Sequence, residues 1–281
     1  NVQPIEPVFL DFSKDLTQLK AKSDIPVLYK QNTNNDLFQL IYVFDMGNNN
    51  DKALGTAFSY IEYLGTSDMT PEQLKSEFYR LACTFFVSPS NERTFVVLSG
   101  LNENMPEAMK LFEKLMADAQ VNKEAYANLV DDILKSRKDA KLNQMQNFRR
   151  LMNYGMYGPK SPATNILTEA ELQNMNPQEL IDRIHNQNSY KHRILYYGPT
   201  SSKDLLAIIN KNHQAPKELK DIPAGEEFPR LETPATRILF APYEAKQIYM
   251  TQLSNRGEKF DPAIEPSRQM YNEYFGGGMN S

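Results

Sequence analysis

An α+β fold with a mostly antiparallel sheet packed with helices is the class this sequence predicts, on three observations. β-Branched and aromatic runs of strand length are interleaved with apolar patterns of helical spacing. Two pairs of strand-like runs are each joined by a short polar stretch, which reads as a hairpin. The longest stretch free of Gly and Pro, about 122–154, carries an apolar stripe of helical period.

Residues 26–31 and 37–45 are the first strand pair, with the polar turn Q-N-T-N-N-D between them. Residues 52–64 place Ala53, Leu54, Ala57, Phe58, Ile61 and Leu64 at helical spacing. Thr70-Pro71-Glu72-Gln73 starts the next helix: Thr70 caps, Pro71 suits the first helical position, and Gln73 completes a capping box. Leu74, Phe78 and Leu81 follow on one face. Strands near 84–88 and 93–99 flank S-P-S-N-E, and a helix from Asn104 turns Met109, Phe112, Leu115, Met116 and Ala119 inward. The 122–154 pattern, with Tyr126, Val130, Ile133, Met145, Phe148 and Met152 on its stripe, predicts one long helix laid across the sheet. A helix over 176–188, a strand over 192–197 and a helix ending near His213 complete the unit.

Residues 214–236 hold four prolines and one glycine and read as a linker. Beyond it, 236–242 and 246–253 have strand character and 265–275 helical character. The expected organisation is an upstream linker (1–7), an α+β domain (8–213), the Pro-rich linker (214–236) and the truncated start of a further domain (237–281). The tail has too few elements to close a core. Its apolar residues are expected to fold back on the first domain or to pair with a second copy, giving a homodimer.

The apolar share is 41%, the charged share 23% and the formal charge −4, which argues against a nucleic-acid or acidic-membrane partner. No run of about 18 apolar residues occurs, so no membrane-spanning helix is expected. Cys83 stands alone, which excludes an internal disulfide and any multi-cysteine metal site. It sits in L-A-C-T-F-F and reads as a small buried hydrophobe. A single cysteine fits a periplasmic or a cytoplasmic protein equally.

Chemistry is conspicuous by its lack of motif. His185, His192 and His213 lie far apart with no pair at helical ligand spacing, and each reads as structural. No nucleophile elbow occurs. Gly276-Gly277-Gly278 follows a helix and lacks the Lys-Ser/Thr of a phosphate loop, so a helix-ending turn is expected.

Three phrases carry a resemblance: Gly65-Thr66 after the 52–64 helix, R-I-L-Y-Y-G-P at 193–199, and Y-N-E-Y-F-G-G-G-M-N-S at 271–281. In this order they resemble the insulinase (pitrilysin-type) family of zinc metallopeptidases. The resemblance implies the fold of the mitochondrial processing peptidase-like metallohydrolases. In that family a helix carries H-x-x-E-H, and a Glu roughly 70–75 residues on is the third zinc ligand. Here Gly65-Thr66, aligned without a gap, puts the motif on Thr56-Ala57-Phe58-Ser59-Tyr60; aligning the glutamate instead puts it on Ser59-Tyr60-Ile61-Glu62-Tyr63. Both registers lack histidine, and the third-ligand position falls near Asp131 and Asp132.

The resemblance therefore implies an inactive domain from the C-terminal half of such a peptidase, with no catalytic residue and no metal site of its own. Zinc is expected in the active half of the full-length protein, a zinc metalloendopeptidase. This domain would wall the chamber around a peptide substrate and pair with the active half, in the same polypeptide or in a partner subunit. The Arg and Tyr that assist the substrate carbonyl in the family would lie beyond Ser281. Two other readings stand beside it: a structural assembly subunit with no role in proteolysis, and an enzyme with new chemistry in which Glu62 and Asp131 or Asp132 hold a hard cation.

Overall fold

The computed structural model describes residues 9, 11–244 and 247–276. After a short helix α1 (Phe12–Asp15), strand β1 (Thr17–Lys20) pairs antiparallel with β2 (Pro26–Gln31). β3 (Leu37–Phe44) follows as the central strand, and its alternating Phe38, Leu40, Tyr42 and Phe44 are at most 2% exposed. That period of two is what a sheet with one face on a core requires. α2 (Leu54–Tyr60) runs into a 3₁₀ turn, Ile61–Tyr63, and α3 (Pro71–Arg80) opens with Thr70 and Gln73 in the expected capping box. Between them Gly65 makes a tight turn in which Thr66 N donates to Met69 O, and a Cβ at Gly65 would collide with that same oxygen.

β4 (Cys83–Pro89) and β5 (Thr94–Leu101) form the second hairpin, after which α4 (Met105–Asp118) packs on both strands. α5 (Lys123–Ala140), α6 (Gln144–Tyr157), α7 (Glu169–Asn174) and α8 (Gln178–Asn186) precede β6 (Arg193–Gly198) and α9 (Ser202–Asn212), and α10 (Glu265–Gly276) lies near the end. Among the described residues the six strands of the sheet stand in the order β1-β2-β6-β3-β5-β4, and of its neighbouring pairs only β2–β6 is parallel. The sheet is therefore mostly antiparallel, as the sequence predicts. One core cluster joins its buried face to α2, α4, α8 and α9.

The chain divides into two compact units, one of residues up to Leu142 with Pro162–Glu227, the other of Asn143–Ser161 with the residues from Phe228 on. The single helix expected over 122–154 is in fact two. Asn143 takes an extended conformation and caps α6 by accepting from Gln146 N at 3.0 Å, which restarts the helix. α6 buries no residue and belongs to the second unit, so only its first half, α5, serves the sheet domain.

The segment read as a linker divides too. Residues 214–227 run with the first unit: Lys220 N donates to Ser189 O at 2.8 Å, and Glu226 N to Asn49 O at 2.7 Å. In the second unit the described residues of 236–253 form no strand, and α10 falls where a helix was expected. The upstream linker (1–7) and Gly277–Gly278 of the glycine run lie outside the described residues.

Phe112 on α4 is fully buried against Tyr42 and Phe85. Phe112→Ala should cost about 3–5 kcal/mol, read from the urea denaturation midpoint. A loss below about 1 kcal/mol would contradict the placement of α4 on the sheet.

Candidate functional site

Helix α2, where both expected motif registers begin, is held by its buried face: Leu54, Ala57, Phe58 and Tyr60. Tyr60 is fully buried and points to the start of α5. Its hydroxyl donates to Asn122 O at 2.6 Å and accepts from Asn122 N at 2.8 Å. Burial pushes the phenol above its ordinary value, with the Asn122 bond acting the other way. Tyr126, one turn into α5, meets the Tyr60 ring edge-on at 5.7 Å and donates its own hydroxyl to Leu172 O at 2.6 Å. Every polar atom of the Tyr60 side chain is thus committed to backbone.

The other candidates lie elsewhere. Thr56 is half-buried, whereas Ser59, Glu62 and Tyr63 are exposed, the last two in the 3₁₀ turn rather than the helix. Glu62 lines a mainly apolar groove of about 380 Å³ with Lys75, Phe78, Tyr79 and Phe85. Asp131 and Asp132 are exposed on α5. Among the described residues, no group of three or more His, Cys, Asp or Glu is placed to hold a metal ion.

Sequence spacing did not reveal what the fold does bring together. Glu113, on the inner face of α4, is fully buried. Its carboxylate accepts from His213 Nδ1 at 2.6 Å, Asn188 Nδ2 at 2.9 Å, Tyr42 Oη at 3.1 Å and Gln214 N at 3.1 Å. His213 Nε2 lies 2.9 Å from His192 Nε2, and His192 Nδ1 lies 2.7 Å from Tyr190 O. Tyr42 stacks on His213 at 5.0 Å and Phe44 tilts over His192 at 4.7 Å. Burial first, then the neighbouring His213, pushes His192 down to about 4. Burial and Glu113 push the Tyr42 phenol well up. His185 remains exposed on α8 and takes no part in the cluster. The one signal in the sequence was Glu113 itself, an acid standing among Met109, Phe112 and Met116 on an otherwise apolar face.

The fold is that of M16 peptidases. The periplasmic protease PqqL from Escherichia coli superposes with a TM-score of 0.67 at 16% identity, over 79% of this chain and 25% of its own. A point mutant of the ferredoxin protease FusC, in complex with Arabidopsis ferredoxin, gives 0.66 at 10% identity, over 80% of this chain and 25% of its own. A peptidase M16 inactive domain from Pseudomonas fluorescens gives 0.60 at 15% identity, over 74% of this chain and 54% of its own. The chain thus spans about a quarter of the length of the two proteases. The sequence matches no family model and no curated protein.

Two outcomes follow from this geometry. Tyr60→Phe leaves Asn122 N without its acceptor, while Asn122 O keeps only its bond from Tyr126 N; it should lower stability by about 1–3 kcal/mol, measured by urea denaturation. The second concerns pH. With its folded value depressed, His192 refuses a proton that the unfolded chain accepts from 6.5 downward. Its contribution is therefore complete above about pH 6.5 and is lost as the pH falls towards about 4, by a total of about 3 kcal/mol. Denaturation midpoints across that window should fall with acid in the wild type and fall less in His192→Phe.

Proposed function

We propose that this chain is a non-catalytic domain of an insulinase-type zinc metallopeptidase. It helps to enclose a peptide substrate and to pair the domain with an active half. The observation that carries the reading is Tyr60. A zinc ligand at the second motif position would have to leave that helix toward the neighbouring helix, and here that direction is occupied by a phenol bonded to both backbone groups of Asn122. This favours the gapless register, Thr56 to Tyr60, because Glu62 and Tyr63 of the other register face solvent. The likeness to a solved M16 inactive domain supports the same conclusion.

Tyrosine, serine and threonine are poor zinc ligands beside histidine. Zinc in this proposal belongs to the active half, in the same polypeptide or in a partner subunit. The exposed apolar side chains of the second unit, Ile238, Phe240, Ile248 and Met250 among them, support a covering partner there, either the active half or a second copy of this chain. An assembly subunit without a role in proteolysis is the alternative.

The test measures metal content and peptide hydrolysis for this chain and for the longer polypeptide that contains it. This chain alone should hold no stoichiometric zinc and cleave nothing. The longer protein, measured together with its partner subunit where the active half is a separate chain, should do both, and should lose activity when the active half's H-x-x-E-H histidines are replaced. Zinc bound at α2 of this chain alone would overturn the proposal, and a longer protein with neither zinc nor activity, with or without a partner subunit, would favour the assembly reading.

A further inference from the structure

Glu113, His213 and His192 lie in a line that ends on a carbonyl, and that fixes how many protons the line holds. Tyr190 O can only accept, so His192 Nδ1 carries a proton across the 2.7 Å bond. The contacts His192 Nε2–His213 Nε2 (2.9 Å) and His213 Nδ1–Glu113 Oε1 (2.6 Å) each need one more. Three protons on two imidazoles and a carboxyl is one more than two neutral rings and a carboxylate would carry. The line is therefore electrically neutral, with one imidazolium opposite one carboxylate. Tyr42 Oη, Asn188 Nδ2 and Gln214 N all donate to the same carboxylate, which keeps the negative charge on Glu113.

Both ends of this line grip one segment. At the Glu113 end, Gln214 N donates to the carboxylate directly after His213 N has closed α9 on Ile209 O. At the other end Tyr190 lies in a strip, 189–191, that pairs with Lys220: Lys220 N donates to Ser189 O at 2.8 Å and Lys191 N to Lys220 O at 2.9 Å. Ala215, Leu219 and Ile222 of the same segment pack only partly buried against the core. The segment is thus held by a few polar contacts rather than by a large apolar face.

We propose that the Glu113–His213–His192 line is an acid-released latch that holds residues 214–222 on the sheet domain. A further proton has nowhere to go without damage. It would leave two N–H groups facing each other across the 2.9 Å His–His contact and two like charges in one buried pocket. The bond between the rings then breaks, and the two anchor points of the segment lose their common support. The other ionisable groups around the line do not substitute for it. Tyr42 of β3 stacks on His213 as a neutral phenol, Lys191 is paired with Asp221, and Lys220 lies 5.8 Å over the Tyr190 ring. The latch is independent of the peptidase reading, since none of its atoms belongs to the motif helix.

Amide hydrogen exchange of the 281-residue chain, expressed as protection factors between about pH 7 and about pH 4.5, tests it. In the wild type, protection at Gln214 and Lys220 should drop about tenfold or more on acidification while the β3 and β5 amides stay protected. His192→Phe keeps an aromatic ring against Phe44 but removes the second imidazole, and its acid-dependent loss should vanish. His213→Gln removes the cation, so Gln214 should be poorly protected already near neutrality and should not show the wild type's further acid-dependent loss. Should a variant fail to fold, ring ¹⁵N shifts of the wild type decide the matter: His192 is expected as the neutral Nδ1–H form and His213 as doubly protonated near neutrality. Segment protection that is flat with pH, or that falls only together with β3, would overturn the latch. So would a His192→Phe curve like that of the wild type, or a singly protonated His213 near neutrality.

Discussion

A fully buried carboxylate in the middle of an apolar helix face is the constraint on which much of this domain depends. Glu113 sits between Phe112 and Met116 on α4, the helix that covers β4 and β5. An isolated buried charge is costly by several kcal/mol. The carboxylate is tolerated because four donors converge on it, from β3, from the turn after α8, from the end of α9 and from the residue beyond it. Those donors come from positions 42, 188, 213 and 214, so a single side chain sets how four separate parts of the chain must meet. Losing any one donor leaves desolvation that nothing offsets.

Much of the fold was legible because it depends on local rules. The two hairpins followed from apolar runs and polar turns, and α3 followed from Thr70, Pro71 and Gln73 alone. The break between α5 and α6 was missed because it uses no Gly or Pro. Asn143 restarts the helix with its side chain, and in sequence it is one more polar residue in a charged stretch. The prolines of 214–227 suggested a free linker, yet backbone groups of Lys220 and Glu226 pair with the domain, and proline content says nothing about such partners. His192 and His213 stand twenty-one residues apart in the sequence. Their meeting depends on β6 entering the sheet beside β3 and on α9 returning past it. No spacing rule encodes that.

The motif helix shows the same division. Sequence alone left two registers open, because neither contains histidine. The two registers differ in burial: Tyr60 is dry against the start of α5, whereas Glu62 lines a groove with Lys75 and Tyr79. A phenol bonded to both Asn122 backbone groups does for this seam what an N-cap does for one helix end. It ties the two helices by satisfying backbone groups. Packing thus fills one of the two places where the resemblance would put chemistry, and Asp131 and Asp132 are exposed on α5.

The sheet order carries one more consequence, for how the chain reaches this state during synthesis. β6 lies between β2 and β3, yet it is the last strand of the sheet to be made. Until Arg193–Gly198 leaves the ribosome, β2 and β3 each present a bare strand edge, and β3 does so with Leu40 and Tyr42 among its side chains. At a typical rate of about 5–20 residues per second, that interval lasts on the order of ten to thirty seconds. A late-arriving central strand makes the nascent domain open to mispairing for most of its synthesis, whatever the stability of the finished fold.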